Sequence, residues 1–203
     1  MVYRHRPTTP SWLYKVPNLD PVKLPVIQKE LIQAFEDSKQ LSLVPYTSTY
    51  FETNFRITKK CPTLHRELAR LNLLKNFTSV AFISVVQDAD FPAHVDGPDD
   101  IGLNIPLINC QGTYTVWYDG KITDDWAEDY LIGVANARNA SKADPTSLVE
   151  ICRIESNAPY WINVNIIHKP VTTHNNFRVA ASLRFIPEPL DSQGNLWPNL
   201  IKG

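Results

Sequence analysis

The spacing of hydrophobic and polar positions changes partway along the chain. Between Pro21 and Gln40, Ile27, Leu31 and Phe35 recur every four residues with Val26 and Ala34 beside them, while Lys29, Glu30, Gln33 and Glu36 take the opposite side. That is the period of one face of an α-helix, and a helix is expected there. A second helix is expected from Pro62 to Leu73, where Leu64, Leu68 and Leu71 form an apolar stripe. Pro62 stands near its start, where the missing N–H costs nothing. Both helices read as supports. The segment before Pro21, with prolines at 7, 10 and 17, should run extended, with Trp12, Leu13 and Tyr14 packing on the body. Val44 to Thr58 is enriched in Thr, Tyr and Phe and reads as strand.

From Phe77 onward the period becomes two. Thr78–Gln87, Ile101–Ile108, Thr113–Tyr118, Leu148–Ile154, Tyr160–Ile167 and Phe177–Ile186 are β-branched or aromatic runs bounded by Asp, Asn, Gly or Pro. Short strands in this number after a helical start predict a mostly β fold with flanking helices, a sandwich or jelly-roll barrel with the helices packed outside. Sixteen prolines against seven glycines point the same way, towards short extended elements with rigid corners. Residues 119–147 interrupt the rhythm with charge, Trp126, Tyr130 and the run A-N-A-R-N-A-S. They read as an insertion over one end of the barrel, either a short helix or a mobile lid. The chain reads as one domain: helical support over 1–76, β core over 77–187, and a tail over 188–203.

Composition narrows the function. The 203 residues, 43% of them hydrophobic, suffice for a core. A net charge of -1 removes the broad basic footprint that a nucleic-acid partner needs. Cys61, Cys110 and Cys152 are far apart and odd in number, which fits buried thiols in a reducing cytoplasm rather than a disulfide scaffold. The start M-V-Y-R-H-R-P-T-T-P has no apolar core of a signal peptide, and no stretch approaches the roughly 18 apolar residues of a membrane helix. A soluble, unprocessed cytoplasmic protein without membrane contact is expected.

Candidate chemistry lies in the second half, at His94 and Asp96 in A-H-V-D-G and at His168 and Arg178 in H-K-P-V-T-T-H-N-N-F-R. Two imidazoles and a carboxylate are the ligand set of a facial triad, which leaves positions on a ferrous ion open. Among 5 histidines and 21 acidic residues, a His-x-acid pair arises by chance about half the time, so the tripeptide alone is weak. Context adds weight. Residues two apart on a strand share a face, which lets His94 and Asp96 reach one ion. His168 ends the apolar run W-I-N-V-N-I-I-H and so should sit at a strand terminus. Taken singly, His168 is also a plausible core histidine, Asp96 a turn cap with Gly97, and Arg178 a solvated strand residue. Asn104 interrupts an apolar strand and faces away from Leu103 and Ile105, to bind a ligand in the barrel or to satisfy a backbone group. Trp117 and Tyr118 are either pocket residues or core aromatics.

The pattern H-x-D, then L-N-I-P-L-I-N, then a distal His followed ten positions later by Arg in R-V-A-A-S-L-R-F, resembles the Fe(II)- and 2-oxoglutarate-dependent oxygenases. The resemblance spans about Phe77 to Phe185, and is nearest to small hydroxylase-like members. It implies a double-stranded β-helix, a jelly-roll or cupin-like barrel, supported by N-terminal helices. It makes His94, Asp96 and His168 the catalytic iron ligands and Arg178 the partner of the distal carboxylate of 2-oxoglutarate. Asn104, Tyr118 and Ser182 become further candidates for binding that co-substrate. Many members carry a serine or threonine two residues after the arginine, where this chain has Ala180, while Ser182 lies four after it on the same face. His174 and Arg184 repeat the ten-residue separation and compete with the first pair. The implied activity is dioxygenase hydroxylation of a peptidyl side chain, amino acid or small metabolite. The rivals are a cupin-like metal enzyme that does not use 2-oxoglutarate and a non-catalytic β-sandwich binding module.

Overall fold

A computed structural model describes residues 12–39, 48–85, 92–96, 101–126, 141–173 and 177–202. In chain order the elements are β1 (Tyr14–Lys15), α1 (Leu24–Lys39), β2 (Ser48–Thr53), α2 (Asn54–Lys60), α3 (Pro62–Arg70), β3 (Phe77–Val85), β4 (His94–Val95), β5 (Ile101–Ile108), β6 (Thr113–Asp119), β7 (Ile122–Trp126), β8 (Ser141–Ala143), β9 (Val149–Glu155), β10 (Tyr160–Asn163), β11 (His168–Thr172) and β12 (Arg178–Phe185). The strands form two antiparallel sheets. The larger has the order β1-β10-β5-β12-β3-β2, and the smaller β7-β8-β4-β11-β6-β9.

The helices bank against one face of the larger sheet, because alternation sorts its side chains by chemistry. On β12, Val179, Ala181, Leu183 and Phe185 join Leu103 and Ile105 of β5, Ile27, Leu31 and Phe35 of α1, and Leu64 and Leu68 of α3 in one apolar cluster. The other face of the same strands carries Arg178, Ala180, Ser182 and Arg184 beside Pro106 and Asn104, with Ala180 opposite Pro106 and Ser182 opposite Asn104. β12 is buried along its whole length, so its two arginines lie out of bulk water. Such a burial is sustained only where something answers the charge.

α1 and α3 follow the expected stripes within a few residues. The turn before α1 is organised by Asp20, whose Oδ1 accepts from the Val22 N–H at 2.9 Å. Two expectations fail. Asn54–Lys60 is helical, where strand was expected to run to Thr58. Lys59 and Lys60 suit a helix C-terminus, and Ile57 is driven into the core. The run Tyr160–Ile167 is not one strand. β10 stops at Asn163, whose Oδ1 accepts from the Asn165 N–H at 3.0 Å, and the chain crosses to the other sheet. His168 therefore opens β11 instead of closing a strand. The ends of the 119–147 segment are strands, β7 and β8, that extend the smaller sheet beyond β4. Residues 127–140 of that segment, with Tyr130, lie outside the described residues, as do residues 1–11, His174 and 97–100.

Candidate metal centre and adjoining cleft

His94 on β4 and His168 on β11 are direct partners across the smaller sheet. Their rings stand 4.7 Å apart between centroids. Asp96, one residue beyond β4, is anchored through its backbone N–H to the Val164 carbonyl at 2.9 Å, in the crossing segment that leads to His168. One oxygen of its side chain, Oδ1, lies 3.1 Å from His94 Nε2. The three residues form a group whose candidate ligand atoms all lie within 4.8 Å of one another.

Both imidazoles are aimed by the backbone. His94 Nδ1 is 2.9 Å from the Pro92 carbonyl, and His168 Nδ1 is 2.9 Å from the Ile166 carbonyl. A carbonyl accepts, so each Nδ1 donates its proton to the backbone, and Nε2 is the nitrogen left for a metal. Burial pushes His168 down to about 4, helped by the facing His94 and opposed by Asp96. His168 is thus neutral at physiological pH. Burial alone would raise the Asp96 carboxyl, but the Arg184 guanidinium beside it holds it far below the usual carboxylate range. Two imidazole nitrogens and one carboxylate suit a divalent first-row ion. With bonds of about 2.1 Å, neighbouring ligand atoms on such an ion stand about 3 Å apart, as His94 and Asp96 already do.

Arg178 sits away from these residues at the start of β12. Its side chain lines a cleft between the sheets with Asn104, Thr115, Ser156, Tyr160 and Ala180. Burial lowers the guanidinium from its ordinary value, with Cys110 beside it acting in the opposite sense. Arg178 Nε and Asn104 Oδ1 are buried and have no hydrogen-bond partner among the described residues. Thr115 and Ser156 add a hydroxyl pair 3.2 Å apart. On β6, Thr115 pairs with Pro170 and Trp117 with His168, so Thr115 lies two residues along the ladder from the histidines. At about 3.4 Å per residue that is about 7 Å, comparable with the length of a five-carbon dicarboxylate.

The structure therefore brings His94, Asp96 and His168 together and sets Arg178 and Asn104 in one cleft. Ser182 is buried on the intervening face, and its Oγ lacks a partner among the described residues. Tyr118 does not join them. Alternation turns it away from Thr115 and Trp117, and it packs beside Ala93, Ala143 and Ile167 under Lys169, so its expected role in the cleft is corrected. Trp117 is core, its indole N–H donating to the Asn163 carbonyl at 2.9 Å. Arg184 does not face the cleft, since its Nη2 meets Asp96 Oδ2 at 2.7 Å. Sequence reasoning overlooked Gly102, a glycine inside a strand, which signals close approach of another group.

No protein-family model and no curated protein sequence matches the chain. Among solved structures it is similar to SnoK, a non-heme alpha-ketoglutarate-dependent carbocyclase from nogalamycin biosynthesis, with a TM-score of 0.50 and 9% identity over 87% of this chain and 80% of that one. It is also similar to AviO1 from Streptomyces viridochromogenes Tue57, with a TM-score of 0.44 and 14% identity over 85% and 89% of the two chains. HygX from Streptomyces hygroscopicus, solved with nickel and 2-oxoglutarate bound, gives 0.44 and 9% over 87% and 82%. The likeness to SnoK is one of fold. The chain is a double-stranded β-helix of the jelly-roll, cupin-like kind, mostly β with helices flanking one sheet.

Proposed function

We propose that this chain is an Fe(II)- and 2-oxoglutarate-dependent oxygenase in which His94, Asp96 and His168 hold the iron and Arg178 receives the distal carboxylate of 2-oxoglutarate. The supporting observation is the pairing of a two-histidine, one-carboxylate cluster with a buried arginine in a cleft whose Thr115 lies two ladder positions from His168. SnoK, of the same fold, is an alpha-ketoglutarate-dependent enzyme.

Iron with 2-oxoglutarate, when bound, would supply the oxidising chemistry, with dioxygen as oxidant and the keto-acid leaving as succinate and carbon dioxide. This chain's residues supply placement. The carbonyls of Pro92 and Ile166 hold both imidazoles through Nδ1, leaving Nε2 as the atom each would offer an ion. Arg178, already desolvated, offers a charge-assisted contact that offsets the cost of drawing a dianion out of water. Asn104 and the Thr115–Ser156 hydroxyls give polar contacts along its length, and Ser182 lies between the cleft and Arg184 on β12. The near-neutral charge argues against a nucleic-acid polymer, leaving a peptidyl side chain, amino acid or small metabolite as the substrate class.

The test is anaerobic addition of Fe(II) and 2-oxoglutarate to the purified protein. A weak visible charge-transfer band that needs both components is expected. Its absence at saturation overturns the reading. Metal binding on which 2-oxoglutarate has no effect would favour a cupin-like metal enzyme instead.

A further inference from the structure

The cluster around Asp96 contains one charged group that the proposed chemistry does not use. Arg184 lies six residues after Arg178 on the same face of β12, at the other end of that face, and is buried. Its Nη2 contacts Asp96 Oδ2 at 2.7 Å, while Oδ1 of the same carboxylate stands 3.1 Å from His94 Nε2. The path of the guanidinium depends on Gly102 of β5. A Cβ there would fall 2.8 Å from Ser182 Oγ and 3.4 Å from Arg184 Nη1.

We propose that Arg184 is the positioning residue of the metal centre: by occupying Oδ2 it leaves Asp96 only Oδ1 to offer an ion, in one fixed orientation. The inference rests on reading His94, Asp96 and His168 as ligands of a divalent cation. A carboxylate one residue past the end of a two-residue strand has a free torsion and two equivalent oxygens. Unrestrained, it can chelate through both oxygens or swing away from the histidines. The contact at Oδ2 removes both options, and the remaining oxygen already stands at the separation of adjacent ligand atoms on one ion. The two arginines of β12 then have different tasks. Arg184 is committed to a protein carboxylate, and Arg178 is left for the carboxylate of the co-substrate.

The experiment titrates Co(II) into wild type, Arg184→Gln and Arg184→Lys, following the d–d absorption of the bound ion. 2-Oxoglutarate is then titrated into the Co(II)-saturated proteins. The Gln variant is prepared with Co(II) present, so that the ion answers the Asp96 charge, and folding is checked by circular dichroism. For Arg184→Gln we expect Co(II) affinity to fall about 10- to 100-fold, the cost typical of losing a partner behind a metal ligand, with an altered d–d spectrum. Arg184→Lys, which keeps a cationic donor, should restore the wild-type spectrum with affinity within about threefold. Once Co(II) is saturating, the affinity of the Gln variant for 2-oxoglutarate should stay within about threefold of wild type.

Wild-type affinity and spectrum in Arg184→Gln overturn the proposal. So does a loss of 2-oxoglutarate binding with Co(II) affinity intact, which would make Arg184 the co-substrate's residue. A Gln variant that does not fold even with Co(II) gives the ion pair a purely structural role and also overturns it. Failure of the wild type to bind Co(II) is a different result, because it removes the ligand reading on which both proposals stand.

Discussion

Arg178 and Asn104 are buried polar residues that together mark a candidate binding site. In a finished core such atoms are paired, because each unpaired one costs about 1–3 kcal/mol. Here Arg178 Nε and Asn104 Oδ1 face the same cleft unsatisfied by any described residue. A dicarboxylate would satisfy the first, and a water donating to Oδ1 the second. Arg178→Gln is expected to weaken 2-oxoglutarate binding about 10- to 100-fold, the value of a charge-assisted contact, while Fe(II) or Co(II) affinity changes by less than about twofold. Paired titrations of metal and co-substrate check this. Equal losses for both ligands would mean that the variant disturbs the fold rather than one carboxylate contact.

Among the elements, β12 does the most to connect fold and site. Its odd-numbered residues from Val179 to Phe185 hold the helices, and its even-numbered ones from Arg178 to Arg184 face the second sheet. Anything that fixes the helices therefore fixes the site. One such device is Glu30 of α1, whose Oε2 accepts from the Thr63 N–H at 3.0 Å and the Leu64 N–H at 3.4 Å. The residue before α3, Cys61, gives no side-chain cap of its own, so Glu30 supplies it from another helix. Glu30→Ala should cost about 1 kcal/mol in urea unfolding, within the range for lost caps. Leu31→Ala, one residue on and fully buried, should cost about 2–5 kcal/mol by leaving a cavity. If the first change is silent, the contact at the start of α3 does not bear on stability.

For the whole molecule, the His94–Asp96–His168 cluster ties stability to pH. His168 is held at about 4 in the fold, against about 6.5 in an unfolded chain. Between these values the unfolded state binds a proton that the folded state refuses, so stability rises with pH across that window and falls on acidification. The full span is worth about 3 kcal/mol. Asp96, shifted downwards, is ionised in both states above about 4 and adds no slope there. Denaturation of the metal-free protein at several values from pH 7 to 4.5 should show this loss, and His168→Gln should flatten the curve over that range. Parallel curves for the two proteins would remove His168 as the source. At pH 7 a ligating ion should raise the melting temperature in proportion to RT ln(1 + [L]/Kd).

The period of the hydrophobic pattern was enough to determine the class of fold. Helical stripes at Ile27, Leu31 and Phe35 and at Leu64 and Leu68, followed by alternating runs, leave few architectures other than a sheet sandwich backed by helices. Residue type and spacing also selected His94, Asp96, His168 and Arg178, because few side chains bind metals or carboxylates and strand alternation puts neighbours at i and i+2 on one face. Three features depended on long-range contacts that local pattern does not encode. Asn163 ends β10 and sends the chain to the opposite sheet, held by hydrogen bonds with Trp12 and Trp117 that exist only once those distant segments have met. Asn54–Lys60 becomes helical where its composition also suits a strand. The roles of Arg178 and Arg184 were separated by tertiary structure alone: both occupy the same face of one strand, and only the approach of Asp96 from the other sheet decides which of them it engages.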